Sequence, residues 1–300
     1  MTATYLGTKG TRGMQEFLPN TYPIGAIDPC PSCPSGFVYR TSNGNSTRQS
    51  GQIQLRRRLR SGFTASVDYT YAKSLDNDSQ LGAQGHVVAT TTTTTTASES
   101  QPMATPTIAQ NWLDLRAERG LSTFDQRHLV KAQIQYTSGM GLGGGTLLGG
   151  WRGTLLKEWT VLTQISAGSG LPETPQYFAA VPGTGVSGTI RPDLTGAPVY
   201  RASAGYFLNI AAFSAPTAGQ WGNARRSSIT GPSQFSLDAS LQRTFRLRDP
   251  LHLDIRLDGT NLLNHVVFAS WNTTVNSTTF GLPSAANPMR SLQLSGRLRF

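Results

Sequence analysis

The chain has 300 residues, 37% of them hydrophobic and 14% charged, with a formal net charge of +10 and two cysteines. Both fractions are low for a soluble globular domain, and no stretch reaches the roughly 18 apolar residues of a membrane-spanning helix. Ser, Thr, Gly, Asn and Gln replace the missing charge, a composition suited to strands with one polar face joined by long polar loops.

The N-terminal Met1-Thr2-Ala3-Thr4-Tyr5-Leu6 has neither a basic start nor an apolar stretch, so it is no signal peptide. An exported protein requires one, so the start of the gene product is expected upstream. Thr2–Leu6 reads as the tail of a strand. Residues 7–50 form a connection that carries Pro-Cys-Pro-Ser-Cys-Pro around Cys30 and Cys33. One CxxC cannot complete a four-ligand zinc site, and the prolines oppose the helix that a redox motif would open. A small loop disulfide or two free thiols both fit.

Seven period-two runs follow. Run 51–60 sets Ile53, Leu55 and Leu59 against Gln52, Gln54, Arg56 and Arg58. Run 62–73 sets Phe63, Ala65, Val67, Tyr69 and Tyr71 against Thr64, Ser66, Asp68 and Thr70. The connection 74–125 contains the run Thr90–Thr96, read as a disordered loop tip. Run 126–138 sets Val130, Ala132, Ile134 and Tyr136 against Lys131, Gln133 and Gln135. After the Gly-rich 139–152, run 153–167 sets Leu155, Trp159, Val161 and Ile165 against Glu158, Thr160, Gln164 and Ser166. Beyond the long connection 168–233, run 234–247 sets Phe235, Leu237, Ala239, Leu241 and Phe245 against Ser236, Asp238, Ser240, Gln242 and Arg246. Run 250–263 sets Leu251, Leu253, Ile255 and Leu257 against His252, Asp254, Arg256 and Asp258. Run 289–300 sets Leu292, Leu294, Leu298 and Phe300 against Gln293, Ser295, Arg297 and Arg299.

These runs are ten to fifteen residues long, longer than the five or six typical of a soluble sandwich strand. A twelve-residue strand tilted by roughly 45° rises about 28 Å, which matches an apolar band about 25 Å tall. The predicted fold is all-β: an antiparallel transmembrane β-barrel segment of seven to eight strands, a partial barrel with long extracellular loops. Long connections (7–50, 74–125, 168–233, 264–288) alternate with short ones (61, 139–152, 248–249), so the long ones are expected outside and the C-terminal strand runs down to the periplasm. Arg57, Lys157 and Arg243 break the apolar faces near the periplasmic ends, where a long basic side chain snorkels to headgroups. Tyr69, Tyr71 and Lys73 fall at the outer end, where an aromatic girdle belongs. Lumen faces carry both signs: Asp68, Asp238, Asp254 and Asp258 against Arg56, Arg58, Arg256, Arg297 and Arg299. A sheet of this size cut from a larger barrel is expected to stay open, with its first strand unpaired on one side.

A series of short motifs adds a resemblance. They are Tyr5-Leu6-Gly7-Thr8-Lys9-Gly10, Leu55-Arg56-Arg57-Arg58 with Ser61-Gly62-Phe63, and Val67-Asp68-Tyr69-Thr70-Tyr71-Ala72-Lys73-Ser74. Arg116-Ala117-Glu118-Arg119-Gly120 and Phe124-Asp125-Gln126-Arg127-His128 come next, then Arg191-Pro192-Asp193-Leu194, Trp221-Gly222-Asn223-Ala224, Asn261-Leu262-Leu263-Asn264 and Arg297-Leu298-Arg299-Phe300. In this order the set resembles the C-terminal part of the Oar-like β-barrel of TonB-dependent receptors. The resemblance implies a barrel of about 22 strands with a plug that TonB pulls on, and this chain would supply only the last strands. It implies that Phe300 and the leucines on its face are read by the barrel-assembly machinery. The other implied partners are outer-membrane lipid and lipopolysaccharide, with TonB reached only through a plug missing from this chain. The expected location is the cell outer membrane of a Gram-negative bacterium.

No cofactor is expected, and no residue is assigned a catalytic, cofactor-binding or metal role. The substrate-binding residues, and the substrate, stay unassigned. His86, His128, His252 and His265 are scattered without ligand spacing, and no Ser-His-acid set has a plausible neighbour. Phe124–His128, Asn261 and Asn264 read as a hydrogen-bonded rim that anchors loops. Arg56-Arg57-Arg58-Leu59-Arg60 resembles a nucleic-acid patch, but it ends an alternating run, so nucleic acid is not a partner. The expected function is therefore non-enzymatic: the barrel portion of a transporter, or alternatively a self-contained small porin-like or adhesin barrel.

Overall fold

The computed structural model describes residues 1–60, 62–78, 109–139, 156–180 and 187–300. The Thr90–Thr96 run, His86, Ser61, most of the Gly-rich connection and the first residues of run 153–167 lie outside them.

Eight long strands form one antiparallel sheet in chain order. They are β1 (Thr2–Phe17), β2 (Tyr39–Arg60), β3 (Phe63–Asp76), β4 (His128–Thr137), β5 (Thr160–Gly168), β6 (Gln234–Arg248), β7 (Leu251–Thr260) and β8 (Ser291–Arg299). Gly120–Leu121 adds a short strand against the end of β3. The sheet is not closed: among the described residues β1 pairs only with β2 and β8 only with β7.

The predicted strand faces hold from β2 to β8. One lateral row runs Leu55, Val67, Ala132, Ile165 and Leu237. A lower row runs Phe63, Tyr136, Val161, Leu241, Leu257 and Leu294. The opposite face runs Arg56, Ser66, Gln133, Gln164 and Asp238. A one-residue slip anywhere would exchange these faces. Their consistency across six interfaces follows from the alternation written into each strand. The apolar side is left bare, with Leu294 73% and Leu55 49% exposed, a surface that water alone would not tolerate over so wide a patch.

Aromatic rings bound this band. At the upper edge Tyr5, Gly51, Tyr71 and His128 share a row, and Tyr69 Oη lies 2.9 Å from His128 Nδ1. At the lower edge stand Phe63, Tyr136, Trp159 and Phe245. The eight residue steps from Phe63 to Tyr71 correspond to roughly 19–22 Å of height at barrel tilt, close to the thickness the girdles must bracket. Arg57 lies over Phe63, 5.3 Å from the ring centroid. Arg243 is only 7% exposed, with its guanidinium 4.5 Å from the Phe245 centroid and 5.5 Å from that of Trp159. It lies against aromatic rings rather than reaching outward.

The first strand differs from expectation. Residues 7–17 and 39–50 are not loop; β1 and β2 pair from Thr2↔Gln54 to Phe17↔Tyr39, with register shifts between Thr11 and Gln15. Twenty-two residues rise well beyond an apolar band about 25 Å tall. Above the girdle both faces are wet, so the upper halves carry Gly, Thr, Asn and Arg with no apolar period to detect. Run 153–167 is shorter than expected: β5 begins at Thr160, and Lys157 and Glu158 lie in a turn before it. Cys30 and Cys33 are joined as a disulfide in the loop that remains between β1 and β2.

The long connections of the other strands meet at the same end and are ordered where described. Among the described residues four two-stranded ladders form there: Pro172–Glu173 with Ile229–Thr230, Tyr177–Ala180 with Ser187–Ile190, Asp193–Leu194 with Phe213–Ser214, and Phe268–Trp271 with Pro283–Ala286. The buried apolar cluster lies here and not in the sheet: Leu208, Ala212, Phe213, Ile229, Val275 and Phe280. The loops thus build a cap with a core of its own.

Candidate functional site

The cap is tied to the wall through segment 109–127. Glu118 sits in a 3-10 turn, Leu115–Glu118, whose N-cap Asp114 accepts a hydrogen bond from the Arg116 N–H. This turn presents the Glu118 side chain inward. Arg191 grips it bidentately, Nη1 to Oε2 at 2.7 Å and Nη2 to Oε1 at 3.2 Å, and both side chains are buried. The Gln110 N–H also donates to Glu118, while the Gln110 amide accepts from the Arg191 N–H and donates to the Gly222 carbonyl.

A second buried pair joins the cap directly to β3. Arg226 donates to the Asp76 carboxylate at 2.6 Å and to the carbonyls of Asp76, Glu118 and Gly120. Breaking such a pair by removing one partner costs about 3–5 kcal/mol, because a charge is left buried and uncompensated. Glycine is required where backbones meet: a Cβ on Gly222 would fall onto the Arg191 carbonyl, and one on Gly120 would press on the Arg226 carbonyl at 2.9 Å.

Two carboxylates in the cap are perturbed. Asp193 is partly desolvated, but the N–H groups of Asn223 and Thr217 and the Thr217 hydroxyl outweigh this and hold it below the ordinary carboxylate range. Glu173 is pushed up to about 7 by burial, which the Trp271 N–H only partly offsets. Nearby, a cleft of 230 Å³ opens between residues 203–210 and 277–280, floored by Leu208 and Phe280 and edged by Tyr206 and Ile210.

The rim expected around Phe124–His128 is present. Asp125 accepts from the Ser74 N–H at 2.5 Å and faces Arg127 at 3.6 Å. Asn261 caps β7 by accepting from the His265 N–H and donating to the carbonyls of His265 and Pro288. Asn264 accepts from the Arg290 N–H. Lumen charges pair in part: Arg299 with Asp254 across strands, and Arg256 with Asp258 along β7.

The sequence did not show that Arg116–Gly120, Arg191–Leu194 and Trp221–Ala224 meet. Each was visible only as a motif of the resemblance. Their polar atoms satisfy one another through Glu118–Arg191, Asp193–Asn223 and the Ala224 N–H to the Pro192 carbonyl. These groups hold backbone and loops in place; no nucleophile is paired with a base among them.

The family model described as outer membrane beta barrel domain matches residues 1–293. No curated protein matches the sequence.

Proposed function

The chain belongs to the outer membrane beta barrel domain family, and from that premise we propose that it is the C-terminal part of the Oar-like barrel of a TonB-dependent transporter in a Gram-negative outer membrane. The observation that carries this reading is the open sheet. A lipid-exposed edge leaves backbone N–H and C=O groups unsatisfied, and this sheet has two such edges, β1 and β8. A larger closed wall satisfies both. The motifs that meet at the junction of cap and wall are those of the resemblance, which supports the same assignment.

In this reading the chain is not an enzyme and takes no nucleic acid. Its apolar band contacts outer-membrane lipid, with Lys9 and Lys73 placed above the upper girdle toward lipopolysaccharide phosphates. β8, ending beside the exposed Phe300, is the signal for the barrel-assembly machinery. TonB acts through a plug outside these residues. A second reading, a self-contained small porin-like or adhesin barrel, draws on the eight long strands, the number of the smallest such barrels.

Nutrient uptake in the source bacterium separates the two. Deleting this gene and deleting the TonB energy coupler should abolish uptake of the same nutrient, and a protonophore should do so too. Uptake that needs this gene yet survives both treatments would contradict the transporter reading and favour the porin.

A further inference from the structure

We propose that the cleft between residues 203–210 and 277–280 is a binding site for one end of a neutral saccharide, which the cap would meet first if it faces the exterior. This rests on the transporter reading only for that orientation. The lining carries no charged side chain, although the chain as a whole has a net charge of +10. That argues against a phosphate, a carboxylate or an amine as the recognised group. The lining is not apolar enough for an acyl chain either, since five of its eight residues are Ser, Thr, Tyr or Asn.

The polar groups divide into two sets. Asn209 spends its amide on the Pro198 carbonyl and the Ala211 N–H, and Ser277 bonds Asn272 and Thr279. These four bonds shape the walls. The hydroxyls of Ser203, Tyr206 and Thr278 make no side-chain hydrogen bond among the described residues, so they remain to meet a ligand. Tyr206 is 45% exposed and Ile210 57%, which leaves an aromatic ring and an aliphatic side chain at the mouth. A sugar ring has this complementary pattern: C–H faces that lie on an aromatic ring and hydroxyl edges that exchange hydrogen bonds with hydroxyls.

The site is preformed, which lowers the ordering cost of binding. Leu208 and Phe280 belong to the buried core of the cap, and the Phe207 N–H donates to the Gly281 carbonyl at 2.9 Å, fastening the two walls together. Gly281 has φ +75°, and a Cβ there would press on the Leu208 carbonyl. At 230 Å³ the cleft is below the roughly 300–1,000 Å³ of sites for drug-sized ligands, so it suits one or two sugar units. Phe207, next to Tyr206, stacks on Trp271 with centroids 5.3 Å apart, which makes Trp271 a fluorescence reporter.

The test uses the whole chain in lauryl dimethylamine oxide, because sugar-headed detergents would compete. Neutral oligosaccharides built on glucose, galactose, mannose or xylose are titrated beside oligogalacturonate and an alkyl phosphate. At least one neutral oligosaccharide should shift the tryptophan emission saturably. Tyr206→Ala should weaken it about tenfold, whereas Tyr206→Phe keeps the ring and most of the affinity. Ser203→Ala with Thr278→Ala should weaken it severalfold while cap unfolding stays unchanged. No neutral oligosaccharide bound, preference for the acidic probes, or binding indifferent to Tyr206→Ala overturns the proposal. Because binding is read without transport, energy-independent uptake would sink the transporter reading and leave this one standing.

Discussion

Leu257→Arg tests the membrane face near the middle of its height. Leu257 lies six residues above Leu251 in β7, roughly 14 Å above the short turn at barrel tilt and so near the middle of the apolar band. It is 39% exposed between Leu241 and Leu294 in the lateral row, with no acidic side chain on its face of those strands. An arginine at such a depth costs roughly 2–4 kcal/mol. The neighbouring Arg256→Gln changes the opposite face and removes only the half-exposed pair with Asp258, worth about 1 kcal/mol or less. Both variants are folded into phospholipid vesicles and unfolded with guanidinium, with the heat-modifiable gel band as an independent readout of insertion. Leu257→Arg should lower stability by at least twice as much as Arg256→Gln. Equal effects, or a larger effect of Arg256→Gln, would refute the assignment of faces.

The junction and the cap yield two further predictions. Arg191→Met leaves Glu118 buried without its cation and should destabilise the cap by about 3–5 kcal/mol, seen as earlier guanidinium unfolding by Trp271 fluorescence while the heat-modifiable sheet persists; Glu118→Gln added to it should recover much of the loss, and no recovery would contradict the pair's role. Glu173 has a folded pKa raised from 4.5 to about 7, so its contribution to cap stability is full below 4.5 and is lost as pH rises toward 7. Cap unfolding midpoints should therefore fall across that window, Glu173→Gln should flatten the fall, and an unchanged slope in the variant would show that another group titrates.

The sheet was legible in the sequence because lipid enforces a strict rule. Wherever a strand crosses the band, one face must be apolar, and Val67, Ile165, Leu237 and Leu257 announce that face by period alone. The rule lapses above the girdle, which is why residues 7–17 and 39–50 read as loop although β1 and β2 continue through them. The rim was partly legible, since Asp125, Asn261 and Asn264 are residue types that bind free backbone groups at strand ends. The cap was not. Its order rests on pairs far apart in sequence, Glu118 with Arg191 and Asp76 with Arg226, and no local period encodes such pairs. Nothing in a single sequence marks Leu208 and Phe280 as the floor of one cleft, because they are brought together only by the folding of two separate loops.

The central claim is a transmembrane wall with its cap outside and its tight turns inside. Single cysteines at Arg201 in the cap and Asp249 in the β6–β7 turn, in a chain lacking Cys30 and Cys33, test it on intact cells with a maleimide too large for porins. Arg201→Cys should label at once, and Asp249→Cys only after the outer membrane is permeabilised. Labelling of Asp249→Cys on intact cells, with Arg201→Cys protected, would contradict the account.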